Sequence, residues 1–321
     1  MDQTDDASGD VTGLSLSEAA DRIAAREDRP DRETVRTVLA EVAVDRIVSE
    51  DGITELESDT SMAVSNAEGR AEYATMRVDE VEAAAADAPD LETVAARLDE
   101  FAARAESVES RALDLADRLH ELVHRREYSE SVYEYVRDLR DLGQDADTVH
   151  GDAQRLATDA DEFERWLDGH ATRVAELSGD VNAIAAAFDD LEAAADRLED
   201  PDVIGADEPD PATQWFAVTQ RQRVNELVVA DARTELADVR TWAEQAGEET
   251  ADLDEIADRL DDLEVRRERL GERLDDLAQP AWRERYGEAV SAVEDTLDEF
   301  EPPVDFGAVQ AALEEYGPEQ H

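Results

Sequence analysis

The sequence predicts an all-α protein: an elongated antiparallel helical bundle or coiled coil, with a small N-terminal helical domain. Apolar residues recur at alternating steps of three and four through most of its 321 residues, which is the spacing of a coiled-coil seam. Stretches rich in Pro, Gly and Asp separate these periodic segments. Many of the apolar positions hold Ala, which suits thin seams between helices better than one thick core.

The most regular seam follows Pro89 and Asp90, which open a helix predicted to end near Arg126. At ~1.5 Å per residue this helix is roughly 50 Å long. Its a/d positions form one apolar stripe that must be buried against other helices. They are Leu91, Val94, Leu98, Phe101, Ala105, Val108, Ala112, Leu115, Leu119 and Leu122.

A second seam begins near Ser129, a residue type that favours helix N-caps. Its phase is offset by one residue from the first seam, so a break is expected near Tyr128. The stretch 174–198 continues the second seam in phase. Gly169 indicates a turn before this stretch, although the phase also permits one continuous helix. The second seam runs Val132, Tyr135, Leu139, Leu142, Ala146, Val149, Ala153, Leu156, Ala160, Phe163 and Leu167.

The clearest break is the segment 200–211, whose three prolines and one glycine cannot continue a helix. A new seam over 215–246 follows it, and Gln222 and Asn225 occupy apolar positions of that seam. Such polar residues can fix register and partner number. Equally, they can mark positions where the seam is partly exposed.

The last clean seam covers 253–277, and Pro280 stops it before a helix over 282–300 and a short helix near 309–316. Helices joined by short turns pack antiparallel. The breaks divide the chain into a disordered acidic tail (1–13), a small helical domain (14–88), long coiled-coil helices (90–199), a linker (200–211), a second coiled-coil segment (212–300) and a C-terminal tail with a short helix (301–321).

The small N-terminal domain is less regular than the rest of the chain. Ser15 and Glu18 have the spacing of a capping box, which starts a helix. The elements expected here are a helix over 15–26, a second helix from Arg32, a turn at Gly52, and helices over 53–64 and 69–86.

The charge is extreme: 86 Asp and Glu stand against 31 basic residues, all of them Arg, for a net charge of −55. Self-repulsion on this scale destabilises a compact fold in ordinary buffer. At 1 M salt the Debye length falls to roughly 3 Å and the repulsion is screened. We therefore expect a protein adapted to high salt that loses structure when it is desalted.

The composition also excludes several chemistries. Without Lys there is no Schiff base with pyridoxal phosphate and no phosphate-binding lysine, and without Cys there is no thiol nucleophile or zinc ribbon. No apolar run reaches the ~18 residues of a membrane span, and the acidic N-terminus lacks the apolar region of a signal peptide. These features predict a cytoplasmic protein with no cofactor.

One motif indicates a different function, that of a zinc protease. His120-Glu121-Leu122-Val123-His124 matches the zinc-protease pattern of two His ligands one turn apart and a Glu general base. Leu119 and Leu122 belong to the seam, however, which places His120, Glu121 and His124 on the flank or outer face of the helix. We expect a solvated face there, with a surface pair that binds stray metal as the alternative and catalysis as the remaining hypothesis.

The segment 16–56 is similar to the second and third helices of winged-helix proteins, and 46–53 would then form a strand and wing. Base reading would need Arg32 and Arg36 near phosphates or guanine edges. Acidic residues match these arginines locally, and a net charge of −55 repels DNA. A packed helical domain that does not bind nucleic acid is the expectation.

The whole chain resembles acidic coiled-coil proteins of halophilic archaea, some of which carry the label halo transducer protein. The similar stretches are 31–43, the first long seam, and Glu162-Phe163-Glu164-Arg165-Trp166-Leu167. This resemblance implies a part in signalling. Sensory transducers proper also have membrane spans and a glycine-hinged tip that binds a histidine kinase, and neither is found in this sequence.

Together these features predict a non-enzymatic scaffold or protein–protein interaction protein, with partners on the flanks of the helices or on the N-terminal domain. A homodimer through the seams stays open. The alternatives are, in order, a soluble signal-transduction adaptor, an N-terminal DNA-binding regulator and a zinc metalloprotease.

Overall fold

The computed structural model describes residues 11–25, 31–126, 131–199 and 209–316, and it confirms the all-α fold. No helix in these ranges is both long enough and apolar enough to cross a membrane. The elements are α1 (Leu16–Ala24), α2 (Arg32–Ala40), β1 (Ala43–Val44), β2 (Ile47–Val48), α3 (Glu50–Ala85), α4 (Glu92–Arg126), α5 (Val132–Asp168), α6 (His170–Glu199), α7 (Pro211–Ala246), α8 (Ala251–Leu277), α9 (Pro280–Leu297) and α10 (Phe306–Leu313), with a 3-10 turn at Glu314–Tyr316.

The chain forms two compact units. Unit 1 consists of Met1–Ala83 and Phe101–Phe163, and unit 2 consists of Ala84–Glu100 and Glu164–His321. The boundaries therefore fall near the end of α3, within α4 and within α5. Each unit has its own buried apolar residues, so each is described by itself.

The N-terminal elements of unit 1 are α1, α2 and a β1–β2 hairpin whose strands pair antiparallel. The predicted capping box is present at the start of α1, where the Ser15 hydroxyl accepts from the Glu18 N–H. Asp45 and Arg46 form the hairpin turn, and both have positive φ angles. The prediction of a strand and wing over 46–53 is correct for the strand, since β2 lies at Ile47–Val48, and wrong for the wing, since 50–53 begin α3.

The prediction of a disordered tail over 1–13 is wrong for residues 11–13. The rest of that stretch lies outside the described residues. Val11 is fully buried. The N–H of Gly13 donates to the carbonyl oxygen of Val48 at 2.8 Å. This N-terminal cluster also includes Tyr133, Tyr135, Val136 and Leu139 of α5, so α5 supplies part of its core.

The helix α3 is continuous, which corrects the predicted turn at Gly52 and the predicted gap between 64 and 69. Ser49 starts it by accepting from the Gly52 N–H at 2.9 Å. Gly52 is needed because a Cβ there would lie 2.4 Å from the carbonyl oxygen of Val42. Gly69 is simply tolerated, since no atom lies within 4 Å of where its Cβ would be.

Arginines and aspartates spaced seven residues apart set the register of the antiparallel helices α4 and α5 in unit 1. Each step of seven along α4 is matched by a step of seven backwards along α5. The ion pairs are Arg104–Asp159 at 2.6 Å, Arg111–Asp152 at 2.7 Å, Arg118–Asp145 at 2.8 Å and Arg125–Asp138 at 2.5 Å. All four are at least partly exposed, so each contributes roughly 0–1 kcal/mol, and their effect is on alignment more than on stability.

Unit 2 is built on α6, α7 and α8, and α9 packs against α7. Here too the pairs recur at steps of seven residues, apart from a step of six between Asp261 and Arg267 on α8. Between α6 and α8 they advance together, which makes these helices parallel: Asp189–Arg266 at 2.7 Å and Asp196–Arg273 at 2.6 Å. Between α7 and α8 they run in opposite directions: Arg240–Asp254 and Arg233–Asp261, both at 2.8 Å, and then Glu226 with Arg267.

The two polar residues in the α7 seam behave differently. Gln222 is buried, and a Cβ at Gly271 of α8 would lie 3.6 Å from its amide nitrogen. Asn225 is half-buried and donates to the carbonyl oxygen of Arg221 one turn back. Gln222 is therefore a buried seam residue, whereas Asn225 lies where the seam is partly exposed.

The breaks between the long helices fall where the sequence indicated. Helix α4 ends at Arg126, and α5 and α6 are separated at Gly169. The predicted N-cap at Ser129 and most of the linker, 200–208, lie outside the described residues. The C-terminal helix α10 packs with α9 through a small cluster that contains Val293, Leu297 and Val309.

Candidate functional site

The zinc-protease motif lies on an exposed face of α4, as its position beside the seam predicted. His120, Glu121 and His124 are all exposed. The two imidazole rings are 4.2 Å apart, and the ring Nδ1 of His124 is 3.1 Å from the backbone carbonyl oxygen of His120. Within the described ranges, no three His, Cys, Asp or Glu side chains form a group that could hold a metal ion.

Glu121 faces a shallow groove between α4 and α5 that Arg118 and Arg125 also line. Both arginines are already paired with aspartates of α5. The carboxylate of Glu121 is thus part of a solvated, charged surface. It lies at an open groove between two helices and not in the closed cleft that the general base of a metalloprotease requires.

The N-terminal elements, for which winged-helix DNA binding was the alternative, contain one short β-hairpin beside α1. Ser15 forms an isolated antiparallel bridge with Ile47, so three short extended segments surround α1 and α2. The chemistry of base reading is not provided, however. Arg32 is ion-paired with Asp21, and Arg36 with Glu33 at 2.6 Å, so both candidate arginines are neutralised by their own neighbours.

A feature that the sequence reasoning missed is an apolar ridge on the outer face of α3, formed by Met62, Gly69, Tyr73 and Met76. Met62, Tyr73 and Met76 are 60%, 40% and 46% exposed. Their spacing of three, four and seven residues places them on one side of the helix. The guanidinium of Arg70 lies 5.1 Å from the centre of the Tyr73 ring.

The opposite face of α3 carries the seam that packs inside unit 1. Its buried residues are Ile53, Thr60, Val64, Ala67, Ala71, Ala74, Val78 and Val81. The helix thus has two stripes of 3-4 spacing, one buried and one exposed. A single exposed apolar residue needs no explanation, but three large ones on the same side of one helix are typical of an interaction surface.

Unit 2 contains a cluster of two tryptophans and two arginines around the break at Gly169, in which Trp166 and Arg173 are buried. Arg173 is 3% exposed, and its Nη1 donates to the carbonyl oxygens of Trp166 at 3.0 Å and Leu167 at 2.9 Å. These carbonyls end α5, so Arg173 satisfies groups that the break leaves without helical partners. Its guanidinium also lies 3.9 Å from the centre of the Trp242 ring.

Arg97 joins this cluster to a group of carboxylates. Its guanidinium lies 4.8 Å from the centre of the Trp166 ring and donates to Glu176 at 2.9 Å and Glu235 at 3.0 Å. Burial raises the pKa of Glu235 to about 7, Arg97 opposes that rise, and the charges of Asp180, Glu176 and Asp231 add to it. The pair of Glu235 and Arg97 thus links α7 to the Trp166 cluster.

The outer surface between α6 and α7 carries an open groove of about 600 Å³. Alanines of α6 and Val224 of α7 form its floor, and Leu313 of α10 also lines it. The sequence contained the apolar residues of this groove but gave no sign that two helices would leave them uncovered, because that depends on which faces pack together.

Comparison with known proteins adds no assignment. No family model, no curated protein and no solved structure matches this chain. The resemblance to haloarchaeal coiled-coil proteins therefore stays a prediction, and the case for function depends on the surfaces described above.

Proposed function

We propose that this chain is a non-enzymatic, cytoplasmic interaction protein of a halophile, and that the apolar ridge on α3 binds a protein partner. The supporting observation is the exposed stripe of Met62, Gly69, Tyr73 and Met76 on a helix whose other face is already packed. An unpartnered amphipathic face of this kind favours docking of another helix. Met side chains adapt to varied surfaces, and Gly69 allows a close approach of backbones.

The zinc-protease motif on α4 carries a catalytic alternative less well than the ridge carries a binding role. The motif at His120, Glu121 and His124 is exposed and has no third ligand among the described residues. A transducer-like adaptor is a specific form of the same proposal, since an adaptor also acts by binding. Recovery of histidine-kinase components with the protein would specify that form.

The test is affinity capture from the native host, lysed in high KCl, with the wild-type chain compared to a Met62→Glu/Met76→Glu variant. The control is Leu113→Glu on α4, because Leu113 is equally exposed, at 60%, but is not part of the ridge. We expect at least one protein that is captured by the wild type and the control and lost from the ridge variant. If all three chains capture the same proteins, or none does, the ridge is not a docking surface.

A further inference from the structure

The groove between α6 and α7 is a second surface, independent of the ridge on α3. Ala187, Leu191 and Ala194 of α6 line it opposite Val224 of α7. At about 600 Å³ its volume falls within the range of ligand sites, ~300–1,000 Å³. It is open to solvent, so a ligand can insert one apolar stripe from the outside.

Two arginines and one aspartate are the charged residues that line the groove. Arg197 and Arg221 line it, both are exposed, and within the described part of the chain neither guanidinium has an ion-pair partner. Asp190 is the acidic side chain among the lining residues. Elsewhere in unit 2 most arginines are paired, namely Arg97, Arg223, Arg233, Arg240, Arg266, Arg267, Arg273 and Arg285.

The molecule carries 86 acidic residues, so a groove lined by two arginines and one aspartate differs in charge from most of its surface. The two arginines give this apolar groove a positive rim on a negative molecule. The guanidinium binds carboxylates through paired N–H groups at short range. Contacts at that range, partly covered by a ligand, persist at salt concentrations that screen longer-range attraction.

We propose that this groove binds an acidic amphipathic helix of a partner protein. The apolar stripe of that helix lies on the alanine floor, as in helix-in-groove recognition, and carboxylates on its flanks pair with Arg197 and Arg221. The small side chains of Ala187 and Ala194 let the two backbones approach closely.

The proposal is tested with two labelled synthetic peptides of about 20 residues, roughly 30 Å of helix. They share one Ala/Leu stripe and differ only in having Glu or Arg on its flanks. Fluorescence anisotropy measures their binding to the full chain in about 2 M KCl, where the net charge is screened. We expect the Glu-flanked peptide to bind at least about tenfold more tightly than the Arg-flanked one, reflecting two bidentate contacts.

Three variants separate shape, local charge and net charge. Arg197→Glu/Arg221→Glu should lose the Glu-flanked peptide and gain the Arg-flanked one. The matched control is Arg22→Glu/Arg269→Glu, which makes the same change of net charge at exposed residues outside the groove, and it should bind as wild type does. Ala194→Arg adds positive charge but fills the floor, and it should bind neither peptide.

Several results would overturn the proposal. Equal binding of the two peptides would show that the groove does not distinguish the charge on the flanks of the bound helix. Absence of binding would show that the groove does not bind a helix. Equal losses in the groove variant and the control would assign the effect to net charge. A dimer that dissociates only in the groove variant would assign the groove to a second copy. None of these results depends on the capture experiment with the α3 ridge, so the two proposals can fail separately.

Discussion

Two glycines in one helix, Gly52 and Gly69, carry different constraints. A Cβ at Gly52 would lie within 3.0 Å of three backbone atoms of Val42, whereas a Cβ at Gly69 would meet nothing. Backbone atoms cannot move aside as the end of a flexible side chain can. The sequence shows both residues as glycine, and only the approach of the α2–β1 connection distinguishes them.

Gly52→Ala should therefore destabilise the protein by about 1–3 kcal/mol, the usual cost of overpacking. Gly69→Ala is the matched control in the same helix and should stabilise it by up to about 1 kcal/mol through helix propensity. Urea unfolding followed by circular dichroism in high KCl measures both. Equal effects of the two substitutions would contradict the close approach at Gly52.

Glu235 is expected to make stability depend on pH. Burial raises its pKa from the ordinary 4.5 to about 7 in the folded protein, so between these pH values the folded state holds a proton that the unfolded state has released. Linkage then requires the free energy of unfolding to fall as pH rises from about 4.5 to 7. Below that window both states are protonated and the penalty is absent.

Glu235→Gln should remove this contribution while keeping an oxygen for Arg97. A shift of this size corresponds to a penalty on the order of 3 kcal/mol above pH 7. The measurement is the difference in unfolding free energy between variant and wild type at pH 5 and pH 8, at one KCl concentration. The variant should gain relative stability at pH 8, and a difference that does not change with pH would refute the raised pKa.

At the scale of elements, the sequence predicted the long helices well and the N-terminal ones less well. The seams of α4 and α5 have large apolar residues on both sides of each alanine, so their phase is easy to follow. The seam of α3 uses Thr60, Ala67, Ala71 and Ala74, which are common on any helix. Because of Gly52 and Gly69, the sequence predicted a turn and two short helices where the structure has one continuous helix.

The seven-residue spacing of the ion-paired residues is also visible in the sequence. Arginines at every seventh position of α4 face aspartates at every seventh position of α5, and that match defines an antiparallel register. The ridge on α3 and the groove between α6 and α7 were less accessible. Which apolar stripe stays exposed depends on packing between helices, and no single helix encodes it.

A charge swap tests the register between α7 and α8. Among the described residues Arg233 forms one ion pair, with Asp261 at 2.8 Å, and both side chains are partly exposed. Arg233→Asp and Asp261→Arg should each lower stability, and the double variant should recover it, with a coupling energy of about 0.5 kcal/mol. Thermal unfolding of all four proteins gives that energy, and a double variant as unstable as the sum of the singles would contradict the pairing.

At the scale of the whole molecule, net charge dominates. The structure shows ion pairs along the helices, but 31 arginines cannot neutralise 86 carboxylates. Both units bury thin seams of mostly Ala, Val and Leu, which leaves little apolar area to offset the repulsion. Stability is therefore expected to depend on screening.

Desalting should unfold the protein. The helical circular-dichroism signal is expected to be full in molar KCl and to fall cooperatively on dilution to millimolar KCl, where the Debye length exceeds about 30 Å. Molar NaCl should restore it, since screening depends on ionic strength. A helical signal that is the same at both salt concentrations would show that the acidic surface is not an adaptation to salt.

The most direct test of the interaction role is the size of the protein in a fresh high-KCl lysate of its host. Sedimentation of the wild-type chain should show a complex larger than the 35.5 kDa chain alone, and the Met62→Glu/Met76→Glu variant should sediment as the smaller species. A wild-type chain that sediments alone, or a ridge variant that sediments with the same complex, would contradict the claim that α3 binds a partner.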